Sequence, residues 1–170
     1  MTGGIAMQRL RWLTVAAATV AIMGASSDGC ESSSVDSGKT AKAVGQMNEP
    51  VSLSGTQYTV KAVQTTKEQG AGLWKADGIY LVVTIEILNT KQETKTFTES
   101  MAKFVASDGT RYETAQVLTD KSLLLKDMQP DLPTTGVLVF DVPPAKATGG
   151  KLTIEDLFGD GHVEIPLTTT

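Results

Sequence analysis

The chain has 170 residues, 15 Lys+Arg against 19 Asp+Glu for a net charge of −4, 41% apolar and 20% charged residues, and a single cysteine. An acidic chain without a basic stripe excludes nucleic-acid binding by phosphate neutralisation, the apolar content excludes a disordered chain, and a lone thiol excludes an internal disulfide. What remains is one globular domain, large enough to bury a core without cross-links or bound metal.

The first 29 residues read as an export signal. A basic start containing Arg9 and Arg11 precedes the apolar run Leu13–Met23, and small residues follow it. The apolar run is shorter than the ~20 residues a spanning helix needs. Met7 offers a more compact start, and Leu10 between the two arginines argues against a twin-arginine signal. Next comes Gly24-Ala-Ser-Ser-Asp-Gly-Cys30, followed by Glu31 and three serines. Small residues ahead of a lone cysteine resemble the lipobox of bacterial lipoproteins, although Ser27 stands where that family has Leu and Asp28 where it has a small residue. The resemblance implies that Cys30 is acylated and becomes the mature N-terminus, so that membrane lipid is one partner. Cleavage after Ser27 is the alternative, and it would release a soluble secreted protein. Residues 31–49 contain no aromatic residue, Leu or Ile, and predict a flexible tether spanning roughly 25 Å.

From Pro50 to residue 170 the texture is short β-rich runs broken by turn residues. Val51–Leu53 meets a Ser54-Gly55 turn. In Gln57–Thr65 the alternation puts Tyr58, Val60 and Ala62 on one face, and in Ile79–Leu88 it does the same for Leu81, Val83, Ile85 and Ile87, with Thr84 and Glu86 opposite. Lys103–Ser107 and Thr110–Thr114 flank Asp108-Gly109, a dipeptide suited to a hairpin turn. Gly136–Val142 directs Leu138, Phe140 and Val142 inward before Pro143-Pro144 ends it. Lys151–Glu155 and His162–Leu167 make a last hairpin around residues 158–161, and Lys121–Met128 predicts one or two helical turns. About seven to eight strands with no βα alternation predict an all-β, antiparallel sandwich.

Three stretches carry a family resemblance. They are Tyr80-Leu-Val-Val-Thr-Ile-Glu-Ile-Leu-Asn89, then Phe104 with Ser107-Asp-Gly109 and Tyr112, and Leu132-Pro-Thr-Thr-Gly-Val-Leu-Val-Phe-Asp-Val-Pro143. Together they resemble a bacterial family of lipoprotein domains of unknown function, the 4352 type, akin to small secreted mycobacterial antigens. Pro130-Asp131 stands where that family has Pro-Gly. The resemblance implies an immunoglobulin-like sandwich and brings no activity, because a fold does not specify a reaction.

Candidate chemistry is sparse, and no catalytic residue, cofactor or metal site is assigned. His162, the only histidine, lies at a Gly-rich hairpin without a nucleophile motif, and Glu86 reads as the solvated face of a sheet. Copper binding would need Met47, Met101, Met128 and His162 to converge, whereas filling of the core explains the methionines equally. Asp156 and Asp160 lack the alternating oxygens of a calcium loop. In Glu68–Gly78, Trp74 and Lys75 are the candidate binding residues, since loops on a rigid sandwich carry function and Trp anchors interfaces. Alternatively, Leu73 and Trp74 fold back to plug the core. The first functional reading is a non-enzymatic, lipid-anchored interaction module on the outer face of the cell membrane, with an envelope or extracellular protein as partner. The second is a small-ligand or metal-binding lipoprotein serving an envelope transporter or enzyme.

Overall fold

The computed structural model describes residues 41–157 and 161–169; the stretch read as an export signal, Cys30 and the Ser-rich stretch lie outside them. Eleven strands occur among the described residues. They are β1 (Ala41–Val44), β2 (Val51–Leu53), β3 (Thr56–Gln69), β4 (Trp74–Asn89), β5 (Lys95–Phe97), β6 (Ala102–Val105), β7 (Arg111–Glu113), β8 (Lys126–Met128), β9 (Thr134–Val142), β10 (Lys151–Glu155) and β11 (Gly161–Pro166). They form a four-stranded sheet in the order β2-β3-β4-β9, a five-stranded sheet in the order β1-β11-β10-β6-β7, and a small β5-β8 pair. All pairings except β1 with β11 are antiparallel.

Period-two patterning explains how the two large sheets face each other. Leu81, Val83, Ile85 and Ile87 of β4 are fully buried, as are Leu138 and Phe140 of β9, against Phe104, Leu152, Ile154, Val163 and Ile165 of the other sheet. Each such side chain contributes about 1.5–3 kcal/mol by leaving water. Phe104 meets Phe140 across this seam with ring centroids 6.1 Å apart and tilted planes. On the outer face of the four-stranded sheet Glu86 pairs with Lys61 at 3.0 Å.

Turn chemistry sets the registers. Ser54 and Gly55 both have positive φ, 50° and 76°, as a two-residue hairpin turn of the primed type requires. At Asp108-Gly109 the Gly109 amide donates to the Ala106 carbonyl at 2.9 Å, and Asp108 Oδ1 accepts from the Thr110 amide. Asp131 adopts φ 55°, so an aspartate holds the left-handed conformation for which the resembling family uses glycine.

Three expectations need correction. The predicted tether, residues 31–49, ends too late and the domain boundary at Pro50 moves toward the N-terminus, because Ala41–Val44 pairs in parallel with Gly161–Glu164 and extends the five-stranded sheet. The predicted helix over Lys121–Met128 does not form. Leu125 takes φ 49°, Ser122 bridges to Val137, Lys126–Met128 pairs with Lys95–Phe97, and Leu123 and Met128 are both buried. Tertiary burial there overrides the helical preference of a leucine run. Finally, a bulge between Val60 and Ala62 shifts the alternation of β3, so the buried apolar side chains are Tyr58, Val60 and Val63, with Ala62 only half-buried.

Candidate functional site

Two regions concentrate exposed or concave apolar surface. The first is the tip of the β3–β4 hairpin. Gln69 pairs with Trp74, and Gly70, Ala71 and Gly72 turn the chain with φ of 58°, 56° and 83°. β9 accompanies β4 only from Ile79 onward, so Trp74–Gly78 runs past the end of its neighbour. A Cβ on Gly70 would stand 2.8 Å from Trp74 Cδ1, so glycine lets the indole lie close over the turn. Asp141 fixes the hairpin base, its two carboxylate oxygens accepting from the backbone amides of Asp77 (2.9 Å) and Gly78 (3.0 Å). Leu73 is 84% exposed and Trp74 38%, which overturns the alternative in which both plug the core. Leu118, 62% exposed, lies nearby, its carbonyl 3.6 Å from the same point on Gly70. Lys75 is exposed beside Glu68, with 3.7 Å between the charged atoms.

The second region is a cleft of about 310 Å³ near the β2–β3 turn, walled by Leu53, Tyr58, Ile87, Phe97, Met101 and Met128, with Leu157 also lining it. A buried asparagine builds this end. Asn89, at the end of β4, donates through Nδ2 to the carbonyls of Glu93 (2.7 Å) and Met128 (3.0 Å) and accepts at Oδ1 from the Lys91 amide (3.0 Å). The bonds to Glu93 and Lys91 brace the β4–β5 connection, and the bond to Met128 ties it to β8, so that Lys95 and Met128 are both placed on the cleft. Glu99 completes the frame by accepting from Ser122 Oγ (2.7 Å) and the Leu123 amide (3.0 Å).

The polar groups of the cleft converge. Lys95 Nζ donates to the Ser54 carbonyl (2.7 Å) and reaches Thr56 Oγ1 (3.5 Å), and Thr56 in turn hydrogen-bonds with the Tyr58 hydroxyl. Burial, with a smaller contribution from the Asp156 charge, pushes the Tyr58 phenol up to about 12. It is therefore a neutral hydroxyl at any physiological pH. The carboxyl of Asp156 also lines the cleft.

The candidate copper ligands separate. Met101 and Met128 share the cleft, Met47 Sδ accepts from the Thr168 amide, and His162 lies on the outer face of the five-stranded sheet, 3.5 Å from Glu164. No group of three or more His, Cys, Asp or Glu side chains among the described residues is arranged to hold a metal ion. Asp160 of the calcium reading lies outside the described residues.

That outer face is a charged lattice. Glu164 accepts from Lys42 and Lys151, both at 2.8 Å, and these cations hold its carboxyl down to about 2. Lys103 bridges Glu155 (3.2 Å) and Glu113 (4.0 Å). The hydroxyl of Thr153, buried on this face, has no hydrogen-bond partner among the described residues.

A two-sheet β-sandwich whose loops and one open end carry the exposed apolar groups is the class the geometry defines. The profile of the domain of unknown function DUF4352 matches residues 45–164, and the chain belongs to that family. Solved structures share the fold at low identity. A secreted protein of Mycobacterium tuberculosis, MPT63, is 13% identical, with 73% of this chain and 96% of that one covered and a TM-score of 0.59. The yjhA protein of Bacillus subtilis is 15% identical, with 72% and 98% covered and a TM-score of 0.60. A β-sandwich protein of Clostridium difficile is 12% identical, with 76% and 95% covered and a TM-score of 0.50. No curated protein matches the chain.

Proposed function

We propose that this protein is an exported, lipid-anchored and non-enzymatic binding module of the bacterial cell envelope, which contacts a partner protein through the β3–β4 hairpin tip. The observation that carries the reading is the exposure of Leu73, Trp74 and Leu118 beyond the end of β9. Trp74 is of the residue type most enriched at interface hot spots, and it stands with the exposed Leu73 on the hairpin and the neighbouring Leu118 as an exposed apolar group. Export is supported by the basic-then-apolar leader and anchoring by Cys30 behind small residues; the similar M. tuberculosis protein is itself described as secreted. Two or three acyl chains at Cys30 would hold the module stably at a bilayer.

A photo-crosslinking residue placed at Trp74 in living cells is expected to capture a discrete envelope product, and the same residue at Arg111, on the edge strand β7, to capture none. Adding Leu73→Ser to the Trp74 probe should abolish that product. Equal capture from both positions would sink the assignment of the tip. Mass spectrometry of the mature N-terminus tests the anchor separately: acylated Cys30 is expected, and an unmodified terminus at Asp28 would remove it.

A further inference from the structure

The cleft at the β2–β3 turn holds a cation that no carboxylate among the described residues meets at ion-pair distance. Among the described residues, the half-buried lysines are Lys95, Lys103, Lys146 and Lys151. Lys103, Lys146 and Lys151 each pair with a carboxylate. Lys95 alone bonds only to neutral oxygens, the Ser54 carbonyl and more distantly the Thr56 hydroxyl. An ammonium group has three donor positions, and a partly desolvated one gains most from an anionic acceptor.

The wall beside it is of the opposite character. Phe97 and Met128 are almost fully buried, and Met101 is nearly so. The two thioethers add a polarizable surface that adapts to the shape of an apolar guest. The volume corresponds to about ten waters at roughly 30 Å³ each, the low end of small-molecule sites.

We infer that the cleft is a binding site for a small monocarboxylate with a compact apolar body, the carboxylate received by Lys95 Nζ and the body lying against Phe97, Met101 and Met128. The Thr56 hydroxyl lies 3.5 Å from the cation, and Tyr58 lines the same cleft. Asp156, the one carboxylate among the lining residues, opposes a second negative charge and so selects monoanions over dianions. This site is separate from the hairpin tip and stands or falls independently of it.

The test uses the mature chain carrying Cys30→Ala, with methionine methyl groups labelled for NMR, and 4-phenylbutyrate as the probe against its neutral amide and against acetate. Phenylbutyrate is expected to shift the Met101 and Met128 methyl signals saturably at millimolar concentration while leaving Met47 unmoved. The amide should bind about tenfold more weakly, the loss of one charge-assisted hydrogen bond, and acetate should not saturate. Lys95→Met should lower phenylbutyrate affinity about tenfold and leave amide affinity unchanged, with an unaltered methyl spectrum showing that the fold is kept. Equal affinity for acid and amide in the wild-type chain would overturn the carboxylate assignment. Shifts confined to Met47, or no saturable shift at all, would overturn the site. Phenylbutyrate affinity unchanged by Lys95→Met would remove Lys95 as the receiving group.

Discussion

The two large sheets are built from the same kinds of strand but held in register by different means. In the four-stranded sheet, β2, β3 and β4 follow one another through tight hairpins, and the longest pairing, β3 with β4, runs from Thr56–Asn89 to Gln69–Trp74. In the five-stranded sheet, β6 lies beside β10 from the far end of the chain, and β1 reaches β11 across more than a hundred residues. The outer face of this second sheet carries the ion pairs of Glu164 and Lys103, where the first has Lys61–Glu86 and, near the hairpin tip, the more exposed Lys75–Glu68. Local turns join β2, β3 and β4, with β9 added over longer range, whereas the five-stranded sheet joins two local hairpins, β6–β7 and β10–β11, by long-range pairing and adds charge pairs across its strands.

The sharpest way to break this comparison is at the seam the sheets share. Phe140→Ala and Phe104→Ala should each cost about 3–5 kcal/mol in urea unfolding, because both rings are buried and meet each other. A large difference between the two would show that the sheets unfold separately. Next, a chain beginning at Gly45, lacking β1, is expected to lose about 2 kcal/mol, at roughly 0.5–1.5 kcal/mol per ladder hydrogen bond. A loss near zero would remove β1 from the folded unit.

Glu164→Gln should cost about 1 kcal/mol at neutral pH, as befits a partly exposed ion-pair network. The sign of its pH dependence follows from the lowered carboxyl. Stability from the charged group is fully present above the ordinary value near 4.5 and disappears as pH falls through about 2. Unfolding curves of wild type and Glu164→Gln should therefore converge between those limits, whereas Glu86→Gln on the other sheet should show a smaller gap. Smallest of all, Leu73→Ser is expected to change stability by less than about 0.5 kcal/mol. In a chain beginning at residue 30, whose single tryptophan is Trp74, acrylamide should quench it about as readily in that variant as in wild type. Strong shielding of Trp74 would contradict the exposed hairpin tip.

Much of the four-stranded sheet was legible in the sequence, because alternation over Ile79–Leu88 and Gly136–Val142 and the Ser54-Gly55 turn act within a few residues. The bulge at Lys61 was not, since the sequence there alternates as an unbroken strand would. Ala41–Val44 carries little apolar patterning of its own, and its strand exists because the edge of β11 accepts it. The Leu123-Leu-Leu125 run satisfies a helical pattern as well as a loop that buries Leu123, and only the Glu99 carboxylate accepting from the Leu123 amide shows which applies. Trp74 and Lys75 stand out by residue type, but the sequence reads Glu68–Gly78 as a loop where Gly70–Leu73 alone make the turn and both residues belong to β4. The cleft could not be read: Lys95, Tyr58 and Met128 come from three segments joined by Asn89, whose side chain looks like an ordinary turn residue until its bond to the Met128 carbonyl is seen.

The parallel run of β1 along β11 carries a mechanical consequence. Ala41, Lys42, Ala43 and Val44 each face a partner on β11, from Gly161 to Glu164. Tension transmitted along the strand from its N-terminal side loads this ladder in shear, so its hydrogen bonds yield together and not one at a time. A domain held at a surface by that side would resist drag through the very strand that carries the least sequence signal.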